Sequence, residues 1–262
     1  MQKIISWNVA SVRARLAVLL DFLNREQPDY VFLQEIKATE ETFPFFDFQM
    51  AGYTAVIAGQ KGYNGVAVLS RHPLQSVRTN LTGFTDQARL IQVETASGVV
   101  LICVYVPNGN PPEKDPMNPE RLNYKLQWMR ALTDHIRTLL QADKKIVLGG
   151  DFNVIERDTD VYRPDLFRES ALMIPTVRQS YTAMTAGLVN VIRQFNPAEH
   201  TYTFWDFQGG ARARNHGILL DAFWVTPNLV PQITAADIYE SVRDIKGTSD
   251  HVPIGLTSAG LL

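Results

Sequence analysis

Four apolar runs in this chain stop at polar residues able to do chemistry. They cover residues 3–9, 30–35, 99–108 and 145–153. Each is short and rich in β-branched side chains, which predicts a buried strand. Apolar positions occupy both faces of these runs. Cover is therefore needed on both sides, from a second sheet on one face and helices on the other. Residues 65–69, 90–93 and 221–225 read as further strands. Helical spacing predicts a helix over residues 15–24. It predicts another over 119–140, where Leu122, Leu126, Met129, Leu132, Ile136 and Leu139 recur three and four apart. A third helical region is expected over 167–186, interrupted at Pro175. Residues 108–119, with four prolines, read as a surface loop. Residues 206–215 read as a mobile basic loop, because Gly209 and Gly210 precede Arg212 and Arg214. Both halves of the chain supply strands ending in acids or asparagines. That weak echo suits two stacked sheets with the chemistry gathered at one edge.

Composition narrows the class. A chain of 262 residues with 45% hydrophobic and 20% charged residues can build one large core without staples. The net charge of -2 excludes a strongly basic tail binder. It does not exclude a nucleic-acid enzyme, because there the placement of charge matters more than its sum. The single cysteine, Cys103, allows no internal disulfide and fits a reducing compartment. The N-terminus does not read as a signal peptide, and no run reaches the roughly 18 apolar residues of a membrane helix. The expectation is a cytoplasmic, single-domain protein over residues 1–262, acting as a monomer and not at a membrane.

The polar residues at the strand ends form an oxygen-rich, sulfur-free set: Asn8, Glu35, Tyr105, Asn108, Asp151, Asn153, Asp221, Asp250 and His251. Such donors favour a hard divalent ion, Mg2+ or Mn2+, over structural zinc. Each residue alone is as well explained as a strand cap or turn former. Gly149-Gly150-Asp151 is harder to explain that way, since two glycines before an acid permit close backbone approach. Asp221 is suited to hold an imidazole in one tautomer. Two acids and one such histidine are what phosphodiester hydrolysis needs: an acid to activate water, and a metal and imidazole to stabilise phosphoryl charge.

An ordered series of blocks then resembles the exonuclease III family of apurinic/apyrimidinic endonucleases, within the endonuclease/exonuclease/phosphatase superfamily. The blocks are Ser6-Trp7-Asn8-Val9, Arg13-Ala14-Arg15, Leu33-Gln34-Glu35-Ile36-Lys37 and Gly62-Tyr63-Asn64-Gly65. They continue with Tyr105-Val106-Pro107-Asn108-Gly109, Gly149-Gly150-Asp151-Phe152-Asn153, Asp158-Thr159-Asp160-Val161-Tyr162, Tyr202-Thr203-Phe204-Trp205-Asp206 and Thr248-Ser249-Asp250-His251. The resemblance implies a four-layer α/β sandwich of the DNase I-like type, with two packed mixed sheets flanked by helices. It also implies Mg2+-dependent cleavage of duplex DNA 5′ to abasic sites, with 3′–5′ exonuclease and 3′-end-cleaning activity.

By the same resemblance, Glu35 is a metal ligand, helped by Asn8 and Asp250. Asp151 prepares the attacking water, Asn153 orients it, Tyr105 contacts the scissile phosphate, and Asp221 supports His251. Phe204 and Trp205 are expected to wall the abasic-sugar pocket, with Trp224 a further candidate. Plain core packing is the competing reading for all three. DNA contacts are expected from Arg13, Tyr63, Asn64, Arg89, Asn108, Lys125, Arg212 and Arg214, through phosphates rather than bases. Two departures stand out. Leu219 occupies a position usually held by arginine, and Asn190 one where an acid is common. The environment of Leu219 is expected to be remade around Ile218, Leu220 and Phe223. Two alternatives remain: a small-molecule or lipid phosphoesterase of the same superfamily, and a non-catalytic DNA-binding protein.

Overall fold

The computed structural model describes residues 1–109 and 119–260. Strands β1 (Gln2–Asn8), β2 (Tyr30–Gln34), β3 (Thr54–Ala58) and β4 (Val66–Ser70) join β11 (Ile233–Ile238) and β12 (Ile254–Ser258) in one sheet, ordered β11-β12-β1-β2-β4-β3. Strands β5 (Gln75–Arg78), β6 (Leu90–Glu94), β7 (Val99–Tyr105), β8 (Lys145–Asp151), β9 (Val189–Asn190) and β10 (Asp221–Val225) form the other, ordered β5-β6-β7-β8-β10-β9. Both sheets are mixed: β1 with β2 and β7 with β8 are parallel pairs, and the other neighbours are antiparallel. The expected architecture of two packed mixed sheets flanked by helices is the one observed.

Alternation along the strands explains the layers. Ile4, Phe32, Leu101, Cys103, Val147 and Phe223 point between the sheets. Their neighbours Ile5, Val31 and Leu33 point outward onto Leu19, Phe22 and Leu23 of α1 (Leu16–Glu26). On the other sheet, Ile102, Val104 and Leu148 meet Trp128, Met129, Leu132 and Ile136 of α3 (Pro119–Gln141). Each strand therefore buries both faces, which is why its sequence reads as a continuous apolar run. The shorter helices are α2 (Phe45–Met50), α4 (Pro175–Met184) and α5 (Val191–Phe195).

Several expected boundaries are corrected. Pro175 does not interrupt a helix; it begins α4 at the first helical turn, where its missing N–H costs no hydrogen bond. Strand β7 stops at Tyr105 and β8 at Asp151, so Asn108 and Asn153 stand in the loops beyond them. The expected loop over 108–119 lies mostly outside the described residues. Among the described residues no helix is long and apolar enough to cross a membrane.

Candidate active site

The site is the inter-sheet face continued to one end of the sandwich. On β1 the positions Ile4, Ser6 and Asn8 share a face, as do Tyr30, Phe32 and Gln34 on β2. On the other sheet the same face carries Leu101, Cys103 and Tyr105, then Val147, Gly149 and Asp151, then Val225, Phe223 and Asp221. Register completes the alignment. Tyr105 pairs with Asp151 across a parallel pair, and Asp151 with Asp221 across an antiparallel one. Asn8 pairs with Gln34, which places Glu35 beyond the end of β2. Just beneath lies a polar layer in which the Gln34 amide donates to Ser6 Oγ at 3.1 Å and Cys103 Sγ at 3.3 Å. Burial pushes the Cys103 thiol up to about 12, so it stays a neutral packing group.

Two glycines let Asp151 arrive at this edge. A Cβ on Gly149 would stand 2.3 Å from the Phe223 ring, and one on Gly150 2.0 Å from the Val104 carbonyl oxygen. The pair therefore serves close packing between the sheets and between β7 and β8.

Asn8 is the bridge across the site. Its Nδ2 donates to Glu35 Oε1 at 3.0 Å and to Asp151 Oδ2 at 2.9 Å. Its amide oxygen accepts from the Ala10 N–H. The nitrogen thus joins two carboxylates, and the oxygen, which accepts one backbone N–H, keeps its second lone pair. Glu35 Oε1 also accepts from the Tyr105 hydroxyl at 2.9 Å, and Lys37 Nζ lies 2.9 Å from Oε2. Burial raises the Glu35 carboxyl, but Asn8 and Lys37 outweigh it and hold it below its ordinary value. Burial, Glu35 and Asp151 push the Tyr105 phenol well above its ordinary value against the opposing Arg89, so it stays a hydrogen-bond donor.

The loop after β8 and the one before β12 supply the remainder. Asp151 Oδ1 accepts from the Asn153 backbone N–H, and Asn153 Nδ2 donates to the Val106 carbonyl. Asn108 Nδ2 donates to Asn153 Oδ1 at 3.1 Å. His251 is buried, with Nδ1–H donating to Asp221 Oδ2 at 2.8 Å and Nε2 3.6 Å from Asp151 Oδ2. Its loop is pinned to β1: Trp7 Nε1 donates to the His251 carbonyl, and Ser249 Oγ to the Asn8 carbonyl. Thr203 Oγ1 donates to Asp221 Oδ2 at 2.6 Å and accepts the Leu220 and Asp221 N–H groups. Burial disfavours the imidazolium, yet Asp221, Asp151 and Asp250 raise His251 far above its ordinary value. Asp151 is raised by burial, which outweighs the pull of His251. The arrangement holds one positive imidazolium against a carboxyl that takes up a proton readily.

The donor chemistry fits a hard cation. Asp151 and Asp221 bring carboxylate oxygens within 4.8 Å of each other and of His251, which as an imidazolium is no ligand, and Glu35 is tied to the same cluster through Asn8. Asp221 Oδ1 is buried without a hydrogen-bond partner. Asp250, half-buried beside His251, accepts from Ser249 Oγ through Oδ1.

Other expected site residues divide. Phe204 is half-buried, with its ring 4.9 Å from that of His251. It packs on Ile155, Leu172, Ile218 and Leu220. Trp205 is fully buried, bonded through Nε1 to Asn215, and so packs behind the site instead of walling it. Trp224 is corrected outright. It faces the helices, bonding Tyr181 Oη through Nε1, because it sits on the opposite face of β10 from Asp221. Arg13, Tyr63 and Arg214 are exposed, and Asn108 is exposed at the rim. Asn64 is buried, its amide donating to Gln60 and Gln87.

Three expected DNA contacts are engaged within the protein. Arg89 is nearly buried over the Tyr105 ring, with Nη1 donating to the Tyr105 carbonyl. Lys125 is fully buried, and its ammonium is spent on backbone carbonyls. Arg212 pairs with Asp244 and Glu240 and lies over Trp205, so the basic loop is tied down at that residue. Of the departures, Ile218 and Leu220 share one apolar cluster while Phe223 belongs to the inter-sheet core, so Phe223 does not remodel the surroundings of Leu219. Asn190 caps α5 by accepting the Arg193 N–H. Sequence reading missed Lys37, Thr203 and Ser249 as site residues, although each stands within a recognised block. Their signal was adjacency to Glu35, Phe204 and Asp250.

Residues 5–251 match the endonuclease/exonuclease/phosphatase family. The exodeoxyribonuclease of Bacillus subtilis is 34% identical over 97% of this chain and 98% of its own length. An AP endonuclease from Archaeoglobus fulgidus superposes with a TM-score of 0.92 at 32% identity, covering 99% of this chain and 100% of that one. The 3′ phosphatase NExo from Neisseria, solved with a product DNA hairpin, gives a TM-score of 0.93 at 32% identity over 99% and 100%.

Proposed function

Since the chain belongs to the endonuclease/exonuclease/phosphatase family, we propose that it is a Mg2+-dependent DNA-repair phosphodiesterase that cleaves duplex DNA 5′ to abasic sites and clears blocked 3′ ends. The observation that carries this reading is the convergence of Tyr105, Asp151, Asp221 and His251 on one end of the inter-sheet face, joined to Glu35 by Asn8. The full-length likeness to DNA-acting proteins favours a nucleic-acid substrate over a soluble phosphoester.

Each residue then has a task. Asp151 accepts the proton of the attacking water, oriented by the Asn8 amide and the Asn153 N–H at its two oxygens. The His251 imidazolium, held by Asp221, donates through Nε2 to a non-bridging phosphoryl oxygen. The neutral Tyr105 hydroxyl, whose one proton goes to Glu35 Oε1, would turn from that carboxylate to donate to the same phosphate. Glu35 and Asp250 would hold the metal, Mg2+ or Mn2+, which supplies positive charge to the phosphoryl group when bound. Phe204, half-buried against His251, forms the apolar side of the space for a base-free sugar, which leaves the stack at low cost. The Neisseria relative is a 3′ phosphatase, which makes 3′-phosphate removal a natural second activity of the same residues.

The test compares three substrates with and without Mg2+: an abasic duplex, a 3′-phosphate duplex and a soluble phosphoester. Cleavage of the DNA substrates with little action on the phosphoester is expected. Preference for the soluble ester would replace this reading with the phosphoesterase one.

A further inference from the structure

Lys125 does something other than face DNA. It lies in α3 and is fully buried. Its Nζ donates to the carbonyls of Asn108 at 3.1 Å, Asn153 at 2.7 Å and Ala171 at 2.8 Å. An ammonium has three N–H groups, and three carbonyls receive them; a neutral amine would leave one without a donor. No carboxylate is among these hydrogen-bond partners. A buried charge spent wholly on backbone is costly and acts as a strong local constraint. Burial lowers the lysine to about 7, with Arg89 acting in the same direction and Asp151 favouring the ammonium, so it is the three carbonyl acceptors that call for the charged form.

The three carbonyls belong to three segments bordering the site. Asn108 follows β7 and Tyr105, Asn153 follows β8 and Asp151, and Ala171 precedes the Leu172 that packs near Phe204. Asn153 adopts a left-handed φ of 48°, unusual for a non-glycine residue. It is held there on every side: its N–H by Asp151, its carbonyl by Lys125, its amide by Val106 and Asn108. The chain also makes room for the lysine. A Cβ on Gly109, at φ 78°, would stand 2.7 Å from Lys125 Cδ.

We propose that Lys125 is a positioning residue whose buried ammonium clamps the three loops together and, through Asn153, fixes the orientation of the Asp151 carboxylate. The inference rests on the reading of Asp151 as the group that prepares water. Lys125 touches no substrate, so its loss acts on turnover through geometry.

The experiment measures Lys125→Met, Lys125→Arg and Gly109→Ala against the unaltered full chain. Two readouts are taken: steady-state cleavage of an abasic duplex, and backbone amide exchange. Lys125→Met keeps length but leaves three carbonyls without their donor. Its kcat is expected to fall about 100-fold, the scale of a small misplacement of a catalytic group, with KM nearly unchanged. Exchange is expected to quicken at Asn153 and the residues just after Tyr105 while β1 and β2 stay protected. Lys125→Arg, which restores donors, should recover much of the lost kcat. Gly109→Ala presses on the lysine stem without removing its charge and should show the same pattern more weakly. It decides the matter if Lys125→Met does not fold. A folded Lys125→Met with kcat within about threefold of the unaltered chain overturns the clamp, as does a loss expressed only in KM. If the unaltered chain fails to cut the abasic duplex, the functional reading fails instead, and amide exchange still tests the clamp.

Discussion

Replacing Asp221 by asparagine keeps the shape of the histidine's partner and removes its charge. His251 Nδ1 lies 2.8 Å from Asp221 Oδ2, with both side chains buried. At an effective dielectric near 20, unit charges at this separation attract by roughly 6 kcal/mol. Burial of the imidazolium offsets part of that, and Asp151 and Asp250 add to it, with the balance taking His251 from 6.5 to about 10. Asp221→Asn is therefore expected to lower the His251 pKa by roughly two to three units. Nitrogen-detected NMR of the imidazole reads this directly in metal-free protein. The alkaline limb of the pH–rate profile should move down with it. The stability sign follows from a folded-state pKa above the unfolded one. The contribution is complete below 6.5 and is lost as pH rises toward 10. The melting-temperature gap between the unaltered chain and the variant should thus be widest in mild acid and close on the alkaline side. A His251 titration shifted by less than about half a unit would refute the pairing as the source of the charge.

Glu35→Gln should weaken Mg2+ binding and turnover together, followed by metal titration alongside rate; normal activity at unchanged metal dependence would exclude Glu35 as a ligand. Arg212→Ala should change the salt dependence of DNA binding little, because that guanidinium is already paired with Asp244 and Glu240, whereas Arg214→Ala should reduce the slope by about one. Leu219→Arg should lower stability by about 3 kcal/mol, since it places a charge at a buried position. Unchanged melting would mean that this side chain reaches a partner or solvent.

Sequence made the central strands legible because β1, β2, β7, β8 and β10 are apolar on both faces and have the chemistry at one end, the last residue or just beyond it in the first four and the first residue, Asp221, in β10. The edge strands were illegible for the opposite reason. β5 is exposed throughout, β11 buries only Ile233 and Ala236, and β9 has two residues, so none makes an apolar run. Two misplacements had a readable signal. Lys125 is three residues after Leu122 and four before Met129, on the same helical face, so spacing alone puts it toward the core. Trp224 is an odd number of positions from Asp221, so the two point to opposite faces of β10. The bridging of Glu35 to Asp151 by Asn8 had no such signal. It depends on how the two sheets stack, a relation between positions 143 residues apart in sequence.

The central claim is that Asp151 prepares water for attack on a DNA phosphodiester at this site. Single-turnover cleavage of a duplex with one abasic site, measured with Mg2+ beside a binding isotherm for the same duplex, tests it most directly. Asp151→Asn should slow cleavage by about a thousandfold or more while the dissociation constant stays within a few-fold of the unaltered chain's. Cleavage at an undiminished rate by that variant would contradict the account.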